Sequence, residues 1–308
     1  MKLGFIGLGK MGKNIVEHAL EKRHEVVVYN RTQSKMEEVM KQGAIPATSH
    51  KQLCEKLAKA SKGSEKENKI IWLMVSAGEA VEEQIKSLMP HLSKGDVVID
   101  GGNSHFRDSM RRAQELFGKK GVFLLDVGTS GGLEGARHGA CFMAGGEKDA
   151  FKRAEPLFKD LACKGGYAHL GKSGAGHFAK MVHNGVEYGM MQSIGEGFQL
   201  LHSSEFDFNL KQVASLWNSG SVVRSWLMEL AGKAFSKDAK LDELEGVIYD
   251  SGEGKWTLHY ALERQISIPA IANSLFVRYS SRDSDKFSNK VVAALRREFG
   301  GHEVKNKK

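Results

Sequence analysis

A chain of 308 residues has room for two domains, and 41% hydrophobic with 27% charged residues is the composition of a folded rather than a disordered protein. Forty-five basic residues against 37 acidic ones leave a net charge of +8, which favours anionic partners without choosing among them. No apolar run approaches a bilayer span, no basic stripe interleaved with aromatics suggests nucleic-acid binding, and three scattered cysteines (Cys54, Cys141, Cys163) make neither a disulfide framework nor a zinc site. With no cleavage site near the N-terminus, these features point to a cytoplasmic chain.

Residues 2–6 (KLGFI) read as a short buried strand, followed by glycines 7, 9 and 12, an amphipathic helix from about Met11 to Lys22, and a β-branched strand at 25–29 (EVVVY). The alternation continues with strands at 69–75, 96–100 and 122–126 and helices at 78–89 and 107–117. Residues 140–146 and a helix at 147–162 extend the layer to about His169–Gly171. Strands separated by helices predict a parallel sheet covered on both faces. From Gly176 to His202 there is no proline, and the only formal charges are Lys180, Glu187 and Glu196. A helix this long and apolar is expected to be mostly buried. Beyond it only helical segments are predicted. The expected fold is α/β: a Rossmann-like doubly wound sheet over residues 1–172, then an all-α domain over 173–308 ending in a loose tail. The polar segment 58–69 reads as an exposed loop with a frayed helix end.

Gly7-Leu8-Gly9-Lys10-Met11-Gly12 matches G-x-G-x-x-G, and its place after a strand and at the start of a helix gives the pattern its meaning. Gly7 permits the tight turn, Gly9 lets backbone approach a pyrophosphate, and Gly12 lets the helix pack closely on the sheet. A dinucleotide is the expected ligand. The position at the end of the second strand, where an acidic residue would hold the ribose 2′-hydroxyl of NAD, carries Asn30, followed by Arg31 and Thr32. Without a carboxylate to repel a 2′-phosphate, and with Arg31 able to pair with it, NADP is the expected cofactor and NAD remains possible. The expected cofactor contacts are Gly7, Leu8, Gly9, Met11, Gly12, Asn30, Arg31, Thr32, Val75, Ala77 and Asn103.

Lys180, His183, Asn184 and Glu187 fall at i, i+3, i+4 and i+7, one face of a helix, with apolar neighbours on either side. A solvated face would be broader and richer in charge. So narrow a stripe suits proton transfer. Desolvation and nearby cations release a neutral lysine amine as a base, while burial keeps a carboxyl protonated as an acid. Asn103, after the strand at 96–100, and Ser130, after the strand at 122–126, lie where ligands bind in open α/β sheets. Turn chemistry explains the two residues equally well.

Taken in order, GLGKMG, YNRT, DGGNS, TSGGLEGARHG, GHFAKMVHNGVEYGMMQ, GEGKWT and RREFGGH resemble the decarboxylating 6-phosphogluconate dehydrogenases from Lys2 to His302. The resemblance implies oxidation of 6-phosphogluconate by NADP to ribulose 5-phosphate and CO2, the step of the pentose phosphate pathway. It implies that Lys180 acts as the base for the C3 hydroxyl and that Glu187 protonates C1. No metal is implied, because a β-keto acid already carries its electron sink. Asn103, Ser130, Gly131, Gly132, His183, Asn184 and Tyr188 match positions that hold the sugar acid. Tyr188, Lys255 and Arg278 match phosphate-binding positions. Arg296 and His302 match a pair reaching a neighbouring subunit's site, which implies a homo-oligomer, dimer or tetramer. The chain resembles the short form of the family, some of whose members use NAD. Ser76 stands where lysine or proline is expected, and 58–69 resembles an insertion. Two other readings stay open: a 3-hydroxyisobutyrate-like dehydrogenase and a non-catalytic NADPH-binding sensor on the same fold.

Overall fold

The computed structural model describes residues 1–58 and 68–305; the centre of the polar segment and the last three residues of the expected tail lie outside the described residues. The chain divides into two compact units, 1–182 and 183–308.

The first unit contains β1 (Lys2–Ile6), α1 (Lys10–Glu21), β2 (Glu25–Tyr29), α2 (Ser34–Met40), β3 (Ile45–Pro46), α3 (His50–Ala58), β4 (Ile70–Leu73), α4 (Glu79–Leu88), β5 (Val97–Asp100), α5 (Phe106–Lys120), β6 (Phe123–Ser130), α6 (Gly132–His138), β7 (Ala140–Gly145), α7 (Lys148–Leu161) and β8 (Ala162–Gly171). The strands form one eight-stranded sheet in the order β3-β2-β1-β4-β5-β6-β7-β8, in which every pair is parallel except β6 with β7. The topology reverses between β1 and β4, the switch point where α/β sheets open a ligand crevice.

Side-chain alternation explains the two helical layers. From the strands, Leu3, Phe5, Ile70, Trp72, Val97 and Ile99 enter one core with Ile15, Val16 and Phe158 from the helices. Ile6, Ile71, Leu73 and Val98 enter the other with Leu53, Val81, Ile85 and Leu116. Lys69, at the end of the polar segment, is buried rather than exposed: its ammonium sits 2.7 Å from Asp96, which also accepts the Lys69 amide at 2.8 Å. A buried cation persists because it is paired and hydrogen-bonded.

His18 and His24 are both buried in this unit. Burial lowers the pKa of each, with cationic neighbours (Lys22 beside His18, the N-terminal amine beside His24) acting in the same direction. A folded-state pKa below the unfolded one gives stability that is complete above about pH 6.5 and lost as pH falls through the folded value. Urea unfolding midpoints should therefore fall between pH 7.5 and 5, and His18→Leu should flatten that slope. An unchanged slope would remove His18 from the account.

α8 (Ala175–His202) begins in the first unit and continues into the second, where α9 (Leu210–Asn218), α10 (Trp226–Lys237), α11 (Glu253–Glu263), α12 (Pro269–Arg282) and α13 (Phe287–Gly300) follow. Phe198, Leu210, Ala214, Met228 and Phe235 form the core of this helical unit. The expectation of a mostly buried α8 is corrected. Val186, Met190 and Leu200 are 48%, 42% and 74% exposed. Apolar residues surround the later turns, but a single face, carrying Ile194, Phe198 and Leu201, joins the α9–α10 core.

Candidate active site

The glycine turn is built as its spacing requires. Gly7 has φ +100°, and a Cβ there would stand 2.3 Å from the Met74 carbonyl oxygen. A Cβ on Gly12 would stand 2.0 Å from the Gly7 carbonyl oxygen, so only glycine lets α1 start this close to the turn. Gly9 faces open space, and no side chain caps α1, so the backbone amides of the first turn suit a diphosphate. The cradle therefore fits the dinucleotide expected from the sequence.

Asn30 has an internal task that spacing did not reveal. Its Oδ1 accepts the Leu8 amide at 2.9 Å and its Nδ2 donates to the Thr32 carbonyl at 2.8 Å. The end of β2 is thereby tied to the glycine turn. Leu8 offers this amide to Asn30 and buries its side chain. Met11 packs partly buried against the same core, while Arg31 and Thr32 are exposed. Val75 flanks the turn, since its Cγ1 would lie 2.9 Å from a Cβ on Gly7, and Ala77 is exposed on the same loop.

Asn103 is exposed on a loop whose base is held by buried polar groups. Ser104 donates to Asp100 at 2.7 Å, and buried Arg112 reaches Asp100 at 3.3 Å, Ser104 at 3.1 Å and Glu82 at 2.9 Å. A Cβ on Gly102 would approach the Val75 carbonyl to 2.8 Å, and Thr129 donates to the Gly101 carbonyl at 3.3 Å. The structure thus gathers the loops after β1, β4 and β5 with the end of β6. Ser130 ends β6, and Gly131 and Gly132 follow with φ +113° and +57°, a backbone that resists any side chain.

Lys180 is buried at 7% exposure. A Cβ on Gly128 would stand 2.3 Å from the Lys180 Cβ, and one on Gly176 would stand 2.2 Å from the Asp126 carbonyl oxygen. The first turns of α8 therefore lie directly on β6 and β7, backbone against backbone. Asp126, fully buried, accepts the Gly174 amide at 2.7 Å and the His177 amide at 2.9 Å, and so anchors the start of α8. Burial raises its pKa, with His177 and the amide hydrogen bonds opposing. Cys141 is a further neighbour. Burial pushes its thiol up, Cys163 adds to this and Lys180 opposes it.

Seven residues along α8, about 10 Å of helix axis, separate Lys180 from Glu187. Asn184 is buried and accepts His183 Nδ1 at 3.0 Å, and that nitrogen is also 3.8 Å from Glu187. The expectation of a dry Glu187 is corrected: its side chain is 38% exposed because this turn of α8 presents one side to solvent.

In the helical unit, Tyr188 and Arg278 are brought together. The guanidinium lies 3.5 Å from the Tyr188 ring centroid and donates to the Tyr249 carbonyl at 2.9 Å. Both side chains are buried. Gly254 makes room, since a Cβ there would stand 2.7 Å from the Tyr188 ring. Lys255 follows, exposed, on α11. Arg296 on α13 and His302 beyond it are exposed. Sequence spacing missed Ser251 and buried Glu253, which meet beside the Tyr188 hydroxyl.

Residues 2–171 match the profile of the NAD binding domain of 6-phosphogluconate dehydrogenase, and residues 176–307 match that of the 6-phosphogluconate dehydrogenase C-terminal domain. The Bacillus subtilis protein YqeC, given that enzyme's name provisionally, is 50% identical over 307 residues, with all of both chains covered. The NAD(+)-dependent, decarboxylating 6-phosphogluconate dehydrogenase of Haloferax volcanii is 43% identical, covering 100% of this chain and 99% of its own. The solved Plasmodium falciparum 6-phosphogluconate dehydrogenase superposes with a TM-score of 0.81 at 30% identity, covering 100% of this chain and 66% of that one. This chain belongs to the 6-phosphogluconate dehydrogenase family.

Proposed function

We infer that this chain catalyses the oxidative decarboxylation of 6-phosphogluconate to ribulose 5-phosphate and CO2, with NADP as the preferred oxidant. The observation that carries the reading is the buried Lys180 amine, set on β6 by Gly128 and aligned along α8 with Asn184 and Glu187. A bound nicotinamide would supply the hydride acceptor for C3, with its dinucleotide held at the glycine turn of Gly7, Gly9 and Gly12. Lys180 accepts the C3 hydroxyl proton, and its ammonium then stabilises the enolate oxygen as the carboxylate leaves C2. Glu187 delivers a proton to C1 of the enediol. Asn103, Ser130, Gly131, Gly132, His183 and Asn184 hold the sugar acid, and Tyr188, Lys255 and Arg278 hold its phosphate. Residues 1–172 serve the dinucleotide and 173–308 serve the substrate and subunit contact.

The exposed apolar residues of α8, with Leu216, Val222 and Phe287 of the helical unit, support a homo-oligomer, since scattered single exposures are ordinary but this many are not. In that assembly Arg296 and His302 reach a neighbouring subunit's site. Among the described residues no helix is long and apolar enough to cross a membrane. We place the enzyme in the cytoplasm.

The test is release of CO2 and reduced cofactor from 6-phosphogluconate, run in parallel with NADP and NAD. Turnover of hydroxyisobutyrate without turnover of 6-phosphogluconate overturns the assignment. NADP preference rests on Arg31, because Asn30 is committed to the glycine turn and the sequence places no acidic residue after it before Glu37. Arg31→Glu should raise the KM for NADP by about tenfold or more while changing the KM for NAD far less. Equal effects on both cofactors would remove the argument.

A further inference from the structure

Two cysteines stand on adjacent strands beside the site. Ser130 on β6 pairs with Cys141 on β7, and Gly128 pairs with Met143. Residues directly opposed across two strands share a sheet face, and the Gly128 face carries Lys180. Cys141 therefore lies on the face of Ser130 and Lys180, and its thiol senses the Lys180 charge. Neither the hydride transfer nor the decarboxylation uses a thiol.

Cys163 reaches the same place from β8. Ala140 pairs with Ala162, and both pack into the core around Phe158, so the next residue of each strand turns to the opposite face, the one that carries Lys180. Between this pair and the Phe142–Tyr167 pair, Cys141 stands against a bulge made by residues 163–166. A Cβ on Gly166 would stand 2.6 Å from Cys163 Sγ and 2.8 Å from the Ala140 carbonyl oxygen, so the sulfur lies beside the peptide that leads into Cys141. Neighbouring strands run about 4.8 Å apart, inside the Cα separation of about 4.4–6.8 Å that a disulfide spans. Both residues are free thiols; Cys163 is exposed and Cys141 is half-buried.

We propose that Cys141 and Cys163 form a disulfide under oxidation by a peroxide, and that this bond switches the enzyme off by displacing the strand that pairs with Ser130 beneath Lys180. The exposed Cys163 thiolate attacks the O–O bond of hydrogen peroxide, giving a sulfenic acid and a hydroxide that takes up the proton the thiol lost. The Cys141 thiolate then attacks the Cys163 sulfur: the S–S bond forms as the S–O bond breaks, and the departing hydroxide takes up the Cys141 proton. Two thiols are oxidised to one disulfide, and one peroxide is reduced to two waters. Drawing Cys141 onto the bulge of β8 shifts β7, whose other edge holds Ser130. A movement of about 1 Å at a reacting group is worth about 10²-fold in rate. The effect on turnover rests on the reading of Lys180 and Ser130 as site residues; formation of the bond does not.

The experiment treats the whole chain with hydrogen peroxide, maps the thiols by peptide mass spectrometry, and assays 6-phosphogluconate turnover before and after dithiothreitol. A linked Cys141–Cys163 peptide should appear as activity falls by about tenfold or more, and the reductant should reverse both changes. Cys54, buried and with its thiol pushed up by burial to about 11, should stay reduced. Cys163→Ser should match the parent before treatment and keep its activity under peroxide. If Cys163 proceeds to a sulfinic acid with no linked peptide, if the linked protein keeps its kcat and KM, or if Cys163→Ser is inactivated as fast as the parent, the switch is overturned. If the reduced protein does not turn over 6-phosphogluconate at all, the proposed function fails, while the linked peptide, present or absent, still decides the disulfide.

Discussion

Replacing Lys180 with methionine should reduce kcat by at least about 10³-fold, towards the upper end of what one general acid–base group contributes. The amine is buried, so bulk water has poor access to replace it as a base. The same group is asked to stabilise the enolate during loss of CO2, so one deletion weakens two barriers. Methionine has nearly the same volume and leaves the packing against Gly128 intact. Cofactor affinity, measured by fluorescence titration, should therefore hold within about threefold. Turnover within tenfold of the parent would show that the amine is not the base. Glu187→Gln should cost less, because a side chain 38% exposed leaves room for water to supply the proton.

Gly128→Ala should be nearly as damaging to turnover, through geometry alone. The added methyl would stand 2.3 Å from the Lys180 Cβ and 3.2 Å from the Gly176 carbonyl oxygen. Neither can yield as the far end of a flexible side chain does, so α8 must move. A displacement of about 1 Å at a reacting group is worth about 10²-fold in rate. The overpacking should also lower stability by about 1–3 kcal/mol. Gly118→Ala is the control: it lies in α5 with no atom within 4 Å of the new methyl, and should leave activity unchanged while holding or slightly raising stability. If Gly128→Ala keeps full kcat, the close approach of α8 to β6 does not set the position of Lys180.

The alternating strands and helices of the first unit were legible because each strand is a short apolar run bounded by polar or glycine-rich turns. β3 was not, because two residues, one of them proline, carry no period. The α2, α3 and α6 segments were also missed, being short helices among polar residues with weak periodicity. β6 runs four residues past its predicted end, through Gly128 to Ser130, because antiparallel pairing with β7 continues where the sequence reads as a turn.

By itself the sequence determined the glycine turn, the order of the longer strands and helices, and the placing of Lys180, Asn184 and Glu187 on one helical face, since helix and strand periods and backbone sterics act over a few residues. Tertiary structure alone decided that Asn30 braces the glycine turn, that Asp126 anchors α8, that Gly128 fixes Lys180 and that Glu253 stands behind Tyr188. It also decided that Lys180 is buried while Glu187 stays partly in water. Each of these depends on which distant segments pack against a residue, and no local pattern records that.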